Sequence, residues 1–241
     1  MSTIRYEDVS LSFGDNHLLT DLNLEIADGD FVSIVGSSGS GKTTIMKMIN
    51  GLILPDSGRV LIDGENVADL DLVDLRRHVG YSIQGNVLFP HLTVEENIGY
   101  VLSLMEQDPE EISQRVGDLL DTFQLPDDIR DRMPNEISGG QAQRVGIARA
   151  YASSPKVLLM DEPFGAVDAI TRYQLQKDLK HWHEKLGLTI VFITHDIREA
   201  LSMSTKVLVL HDGVIQQFAT PAEIKDHPAE GFVSDLMDMS D

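Results

Sequence analysis

Apolar side chains cluster along this chain in short runs, some continuous and some alternating with polar positions, and turn residues punctuate the runs. Residues 4–9, 21–26, 31–35, 59–62, 80–83, 157–160, 189–193 and 207–210 carry this pattern and are predicted to be strands. Asp28-Gly29, Pro55-Asp56-Ser57-Gly58, Asp63-Gly64 and Asp212-Gly213 supply turn chemistry between them. From Val94 to Ala152 the strand signals stop, and Ile112, Val116, Leu119, Leu120 and Phe123 recur at helical spacing instead. Alternating strands and amphipathic helices predict an α/β fold with a mainly parallel sheet, and the strand-free stretch predicts a helical insertion over 87–153. A short helical tail is expected over 221–241. No internal repeat or low-complexity segment divides the chain, so a single domain over 1–241 is expected.

Two of the predicted strands end in residues with chemistry to offer. The run Phe31-Val32-Ser33-Ile34-Val35 leads into Gly36-Ser37-Ser38-Gly39-Ser40-Gly41-Lys42-Thr43, which fits the phosphate-loop pattern. Its glycines let backbone N–H groups turn inward around an anion where a Cβ would block the approach. Lys42 would bring a point charge to the β- and γ-phosphates of a nucleotide, and Thr43 a hydroxyl to Mg²⁺. The helix opening at Thr43-Thr44-Ile45-Met46 aims its positive dipole end at the same place. The second strand, Val157-Leu158-Leu159-Met160, runs into Asp161-Glu162. Four apolar residues in a row describe a strand covered on both faces, delivering its acids at the carboxyl edge where such sheets bind ligands. Asp161 would serve the Mg²⁺ shell and Glu162 would polarise an attacking water, which favours hydrolysis over nucleotide sensing.

Composition restricts the setting. No apolar run approaches the ~18 to 20 residues that span a bilayer, and Met1-Ser2-Thr3-Ile4-Arg5-Tyr6 lacks the basic start of a signal peptide. A cytosolic chain is expected. Cysteine is absent, which excludes disulfides and thiolate metal sites. The 19 Lys and Arg against 39 Asp and Glu give a net charge of −20, a field that repels nucleic acid and anionic lipid. No nucleic-acid partner is expected, and any membrane association should run through a protein.

Ile137-Ser138-Gly139-Gly140-Gln141-Ala142-Gln143-Arg144 resembles the signature sequence of ATP-binding-cassette ATPases, with Ile where Leu is usual. Alone, Ser-Gly-Gly-Gln could be a helix N-cap without a ligand. Its place between a phosphate loop and an Asp-Glu strand end makes the resemblance specific. The resemblance covers essentially the whole chain and implies a P-loop NTPase (RecA-like) core with a mainly parallel sheet, an N-terminal antiparallel β portion and an inserted helical subdomain. It implies a head-to-tail homodimer or paired cassette, in which Ser138, Gly139, Gly140 and Gln141 of one subunit close over the nucleotide held by Gly36, Ser37, Ser38, Gly39, Ser40, Gly41, Lys42, Thr43 and Thr44 of the other. Gln84 matches the family's Q-loop glutamine, a ligand of Mg²⁺ and water beside Thr43 and Asp161. His195 matches the switch histidine that orients the water with Glu162. Asp168 in Gly165-Ala166-Val167-Asp168 matches the D-loop aspartate, with Val167 replacing the usual Leu. Phe13 stands where an aromatic side chain stacks on adenine, or is a core residue.

The stretch 84–98, with Phe89-Pro90-His91, resembles the corresponding region of bacterial importers that use a solute-binding protein. There Phe89 and its apolar neighbours would receive a coupling helix of an integral membrane permease; packing between core and insertion is the other reading. Lys47-Met48-Ile49-Asn50, Leu88-Phe89-Pro90-His91 and Asp161-Glu162-Pro163-Phe164-Gly165-Ala166 look most like the quaternary-amine subfamily, whose members carry glycine betaine, choline or carnitine. The resemblance thus implies an ATPase on the cytoplasmic face of the membrane, held there by its permease. An importer of another small solute, or an exporter or extraction complex, would use the same chemistry.

Overall fold

The computed structural model describes residues 3–85, 88–165 and 167–239. Met1, Ser2, Asn86, Val87, Ala166, Ser240 and Asp241 lie outside the described residues, and with them the first residue of the expected insertion, part of the segment after Gln84, one residue of the loop before Asp168 and the end of the expected tail. The chain runs β1 (Ile4–Phe13), β2 (Asn16–Ile26), β3 (Phe31–Gly36), α1 (Lys42–Ile49), β4 (Ser57–Ile62), β5 (Glu65–Asn66), α2 (Leu72–His78) and β6 (Val79–Ser82). Three helices follow, α3 (Val94–Leu104), α4 (Pro109–Thr122) and α5 (Gly139–Tyr151). Then come β7 (Val157–Asp161), α6 (Ala169–Leu186), β8 (Thr189–Ile193), α7 (Ile197–Met203), β9 (Lys206–His211), β10 (Val214–Ala219), α8 (Pro221–Asp226) and α9 (Phe232–Asp238). Two compact units result, Met1–Arg76 with His183–Asp241, and Arg77–Trp182.

In the first unit, β2, β1, β4 and β5 form an antiparallel sheet in that order, with Ile4 opposite both Ile26 and Ile62. A second sheet places β3 between β8 and β9, both parallel to it, and β10 pairs antiparallel with β9. Phe31, Val32, Ile34 and Val35 of β3 are at most 1% exposed, as expected of a central parallel strand covered on both faces. Each such side chain contributes about 1.5–3 kcal/mol by leaving water. β3 is therefore a rigid base for the loop that follows it. The helix after that loop is equally fixed, because Ile45, Met46, Met48 and Ile49 of α1 are fully buried. The Tyr6 hydroxyl donates to the Ile45 carbonyl at 2.7 Å. At the other end of α1, Arg76 donates to the carbonyls of Asn50 (3.1 Å) and Gly51 (2.8 Å), where a cation suits the dipole.

The second unit pairs β6 parallel with β7, Ser82 opposite Met160. A Cβ on Gly80 would lie 2.3 Å from the Ala150 carbonyl oxygen, so only glycine lets α5 approach β6 this closely. Capping sets the helix starts. Thr93 and Glu96 form a capping box on α3, Asp108 caps α4 with Pro109 in its first turn, and Ser138 with Gln141 caps α5. Asn97 is fully buried and clasps the segment before α3: its Oδ1 accepts from Phe89 N (2.8 Å), and its Nδ2 donates to the carbonyls of Phe89, Leu92 and Thr93. The Arg149 guanidinium lies 4.9 Å from the Phe89 ring centroid, and burial pushes its pKa down. On α5, Arg144 reaches Asp178 of α6 at 2.5 Å and the Phe123 carbonyl at 3.0 Å. Trp182, 1% exposed, meets Phe123 edge-on at 4.7 Å and lies under the Arg144 guanidinium.

Each predicted strand is present, most of them extended; β8 has the expected bounds, and β6 is displaced by one residue, taking in Val79 and leaving Ile83 outside. β1 continues to Phe13 through bulges at which Asp8 and Asp21 take positive φ, and the polar residues at those bulges hide the strand from a pattern reading. Ser57 and Gly58, expected in a turn, begin β4. β5 and β10 were not predicted. No strand among the described residues falls between Val94 and Ala152, and no helix among them is long and apolar enough to cross a membrane.

Candidate nucleotide site

The phosphate-loop residues leave the carboxyl end of β3. Gly36 meets the end of β9 so closely that a Cβ there would sit 1.9 Å from the Leu210 carbonyl oxygen. Gly39 and Gly41 have φ of 78° and 97°, the left-handed region that favours glycine. Alanine in place of Gly36 is expected to lower stability by about 1–3 kcal/mol, because a backbone carbonyl must shift to admit it. A urea midpoint measured alongside ATP binding checks this, with both expected to fall.

Gly41 stands at the N-cap of α1 and supplies no side-chain cap, and the first turn holds no acidic residue. α3, α4 and α5, by contrast, are all capped by side chains. Ser38 and Gly39 are exposed, Ser37, Thr43 and Thr44 half-buried, and the buried Ser40 hydroxyl has no hydrogen-bond partner among the described residues. Lys42 is 7% exposed and donates from Nζ to the Gly36 carbonyl at 2.9 Å and the Ser37 carbonyl at 2.7 Å. Its charge is thereby pinned against the loop. A cradle only glycine can line, an uncapped helix start, a fixed ammonium and an orphaned buried hydroxyl fit a phosphate chain.

His195 follows β8, the parallel neighbour of β3, so it leaves the same edge of that unit as the loop does; Thr194 N donates to the Ile34 carbonyl at 3.3 Å. His195 is exposed, and Asp196 beside it caps α7. Phe13 is 56% exposed at the end of β1, which excludes the core reading and leaves a ring face open to an adenine.

In the second unit, the parallel pairing of β6 with β7 brings Gln84 and the two acids to one edge. Asp161 is 6% exposed at the end of β7. Burial, and then the Asp161 charge, push the Tyr81 phenol up to about 12. Glu162 has φ of +47°, uncommon for a residue with a Cβ, and its Oε2 accepts from Gln84 Nε2 at 2.8 Å. Sequence reasoning named both residues but not this bond across 78 positions. Among the described residues no three His, Asp or Glu side chains gather as a metal cluster. Within the second unit the amide of Gln84 and the single carboxylate of Asp161 are instead sparse oxygen donors of the kind that suit Mg²⁺, which keeps several waters and binds through nucleotide phosphates.

Ser138 Oγ accepts from Gln141 N at 3.3 Å, and Gln141 Oε1 accepts from Ser138 N at 2.9 Å. Capping uses the hydroxyl only as an acceptor, so its hydrogen remains to be donated to an anion. Ser138 and Gly139 are exposed and border a groove of about 560 Å³ with Gly140, Asp168 and Thr171. Asp168 accepts from the Thr171 hydroxyl (2.6 Å), Thr171 N and Ile170 N, and these bonds, the hydroxyl first, hold its carboxyl below the usual range.

A family described as ABC transporter matches residues 19–165. The chain is 45% identical over 235 residues to the glycine betaine/carnitine/choline transport ATP-binding protein OpuCA of Bacillus subtilis, covering 97% of this chain and 62% of that one. It is 44% identical over 230 residues to the sulfate/thiosulfate import ATP-binding protein CysA of Thermosynechococcus vestitus, covering 95% and 68%. The chain spans about three fifths of the length of the OpuCA and OpuBA relatives it matches. A dimeric post-hydrolysis structure of the ATP-binding cassette MJ0796, bound to ADP and Pi, superposes with a TM-score of 0.80 at 35% identity, covering 90% of this chain and 98% of that one. The family match spans more than half of the chain, which therefore belongs to the ABC transporter family.

Proposed function

We propose that this chain is the ATP-hydrolysing subunit of an importer on the cytoplasmic face of a membrane, that it works as a head-to-tail dimer, and that its cargo is a quaternary ammonium solute such as glycine betaine, choline or carnitine. The observation that carries the hydrolytic reading is Glu162, a carboxylate one residue beyond the buried Asp161 and held by Gln84.

In this reading the loop 36–43 binds the phosphates through its amides, Lys42 draws charge from the γ-phosphate, and Phe13 stacks on the adenine. Thr43, Asp161 and Gln84 would hold Mg²⁺, which when bound would neutralise charge developing on the phosphate oxygens. Glu162 accepts a proton from the attacking water, and His195 orients that water. Ser138, Gly139, Gly140 and Gln141 of the partner subunit donate to the γ-phosphate from the opposite side, and Asp168 crosses the interface. The set is complete only when the dimer closes, so hydrolysis follows closure and reopening follows cleavage. Such closure and reopening supplies the motion for alternating access in permease subunits. A groove of about 360 Å³ bordered by Leu92, Gly99, Tyr100 and Glu96 suits docking of a permease helix.

The OpuCA likeness supports a quaternary ammonium cargo; the CysA likeness, nearly as strong, supports sulfate or thiosulfate as the second reading. Tagged purification from native membranes in mild detergent separates them. A multi-span permease with a solute-binding protein that takes glycine betaine, choline or carnitine is expected. A binder for sulfate would overturn the cargo, and recovery with no membrane protein would overturn the importer.

A further inference from the structure

The start of the phosphate loop is held from a side that the catalytic groups do not use. β9 ends against it: the Leu210 carbonyl fills the space where Gly36 would carry a Cβ, and the next residue, His211, places Nδ1 3.1 Å from Ser37 Oγ. The face of the same imidazole is stacked on Phe232 of α9, with ring centroids 4.0 Å apart and planes 11° apart. Phe232, Leu236 and Met237 pack on a buried cluster that includes Val35 and Val209, the strand residues just before Gly36 and Leu210. On its remaining side His211 Nε2 lies 3.6 Å from Asp212 Oδ2. The Ser37 carbonyl in turn accepts from Lys42 Nζ. A continuous set of contacts therefore runs from α9 through one imidazole to the residue on which the Lys42 ammonium rests. The stack covers a face of the ring whose edge contacts are Nδ1 with Ser37 and Nε2 with Asp212, and so holds the plane that points Nδ1 at Ser37.

We propose that His211 is a positioning residue for the phosphate loop, and that α9, through Phe232, holds the imidazole against Ser37 and so sets the affinity for ATP. This rests on the nucleotide-binding reading above. Displacement of α9 would loosen the loop without touching any group that reacts.

The test uses the full chain, with Kd for a fluorescent ATP analogue, steady-state hydrolysis and thermal unfolding read in parallel. His211→Ala and Phe232→Ala are each expected to raise Kd and KM about three- to tenfold, the worth of one hydrogen bond, with kcat nearly unchanged. The double variant is expected to bind no more weakly than either single one, since both remove the same contact. His211→Asn, whose amide can reach the position of Nδ1, is expected to recover part of the loss. Phe232→Leu keeps apolar packing but removes the stack, so it should unfold near the wild-type temperature while its Kd stays raised. Wild-type Kd in Phe232→Leu and His211→Ala, or additive losses in the double variant, would overturn the inference. A wild-type chain that binds no ATP would instead overturn the function proposed above, so the two failures are distinct.

Discussion

Glu162→Gln is expected to lower ATP turnover by about 10²- to 10⁴-fold, the usual contribution of a positioned general base. The substitution replaces an oxygen that can take a proton with an amide that cannot, and changes little else. Gln84 Nε2 can still donate to the remaining carbonyl oxygen of the side chain, so the 2.8 Å contact that holds this position should survive. The backbone at φ +47° is likewise retained, since glutamine tolerates that region about as well as glutamate. ATP should therefore bind normally and remain uncleaved, holding the dimer closed. Size-exclusion chromatography with and without ATP, beside a phosphate-release assay, reads both effects. Turnover at the wild-type rate would remove Glu162 from the reaction.

Asp178→Ala should cost about 3–5 kcal/mol of stability, the loss expected when one partner of a buried ion pair is deleted. Asp178 is 5% exposed and accepts from Arg144 at 2.5 Å and from Gln174 Nε2 at 2.9 Å. Removing it leaves the Arg144 cation with the Phe123 carbonyl at 3.0 Å and the Gln124 amide oxygen at 3.4 Å, two neutral acceptors in place of a charge. Replacing the pair together by Arg144→Met with Asp178→Leu should restore most of the loss, because similar volume then fills the site without a buried charge. A urea series on the three proteins separates these outcomes. An unchanged midpoint for Asp178→Ala would mean that the pair contributes nothing measurable. Arg144 lies on the helix that Ser138 begins, so the same deletion should also weaken ATP-driven dimerisation.

What the sequence made legible was set by local chemistry. The phosphate loop could be read because its glycines, lysine and threonine lie within one turn and one strand end. β7 could be read because four apolar residues precede two acids. β10 escaped because Gln216 and Gln217 interrupt its apolar positions. Its residues are half-buried or exposed and it pairs only with β9 among the described strands, so burial had not selected an unbroken apolar run. The contacts that fix the candidate site were hidden for a different reason. Gln84 with Glu162, Arg144 with Asp178 and Ser37 with His211 are separated by 78, 34 and 174 positions, and no periodicity connects residues so far apart. Glutamine, aspartate and histidine at such places look like any polar residue near a strand or helix end until the fold puts a partner beside them.

The packing of Trp182 gives the molecule an optical gauge of its own. It is the one tryptophan of the chain, its indole N–H has no hydrogen-bond partner among the described residues, and its ring touches Phe123 and lies under Arg144 of α5. Excitation selective for tryptophan therefore reports a single, buried environment beside the helix that carries Ser138, and its emission should lie toward the blue. Because a cation lies over that ring, any change in the pairing of Arg144 with Asp178 alters the emission and can be followed in unlabelled protein.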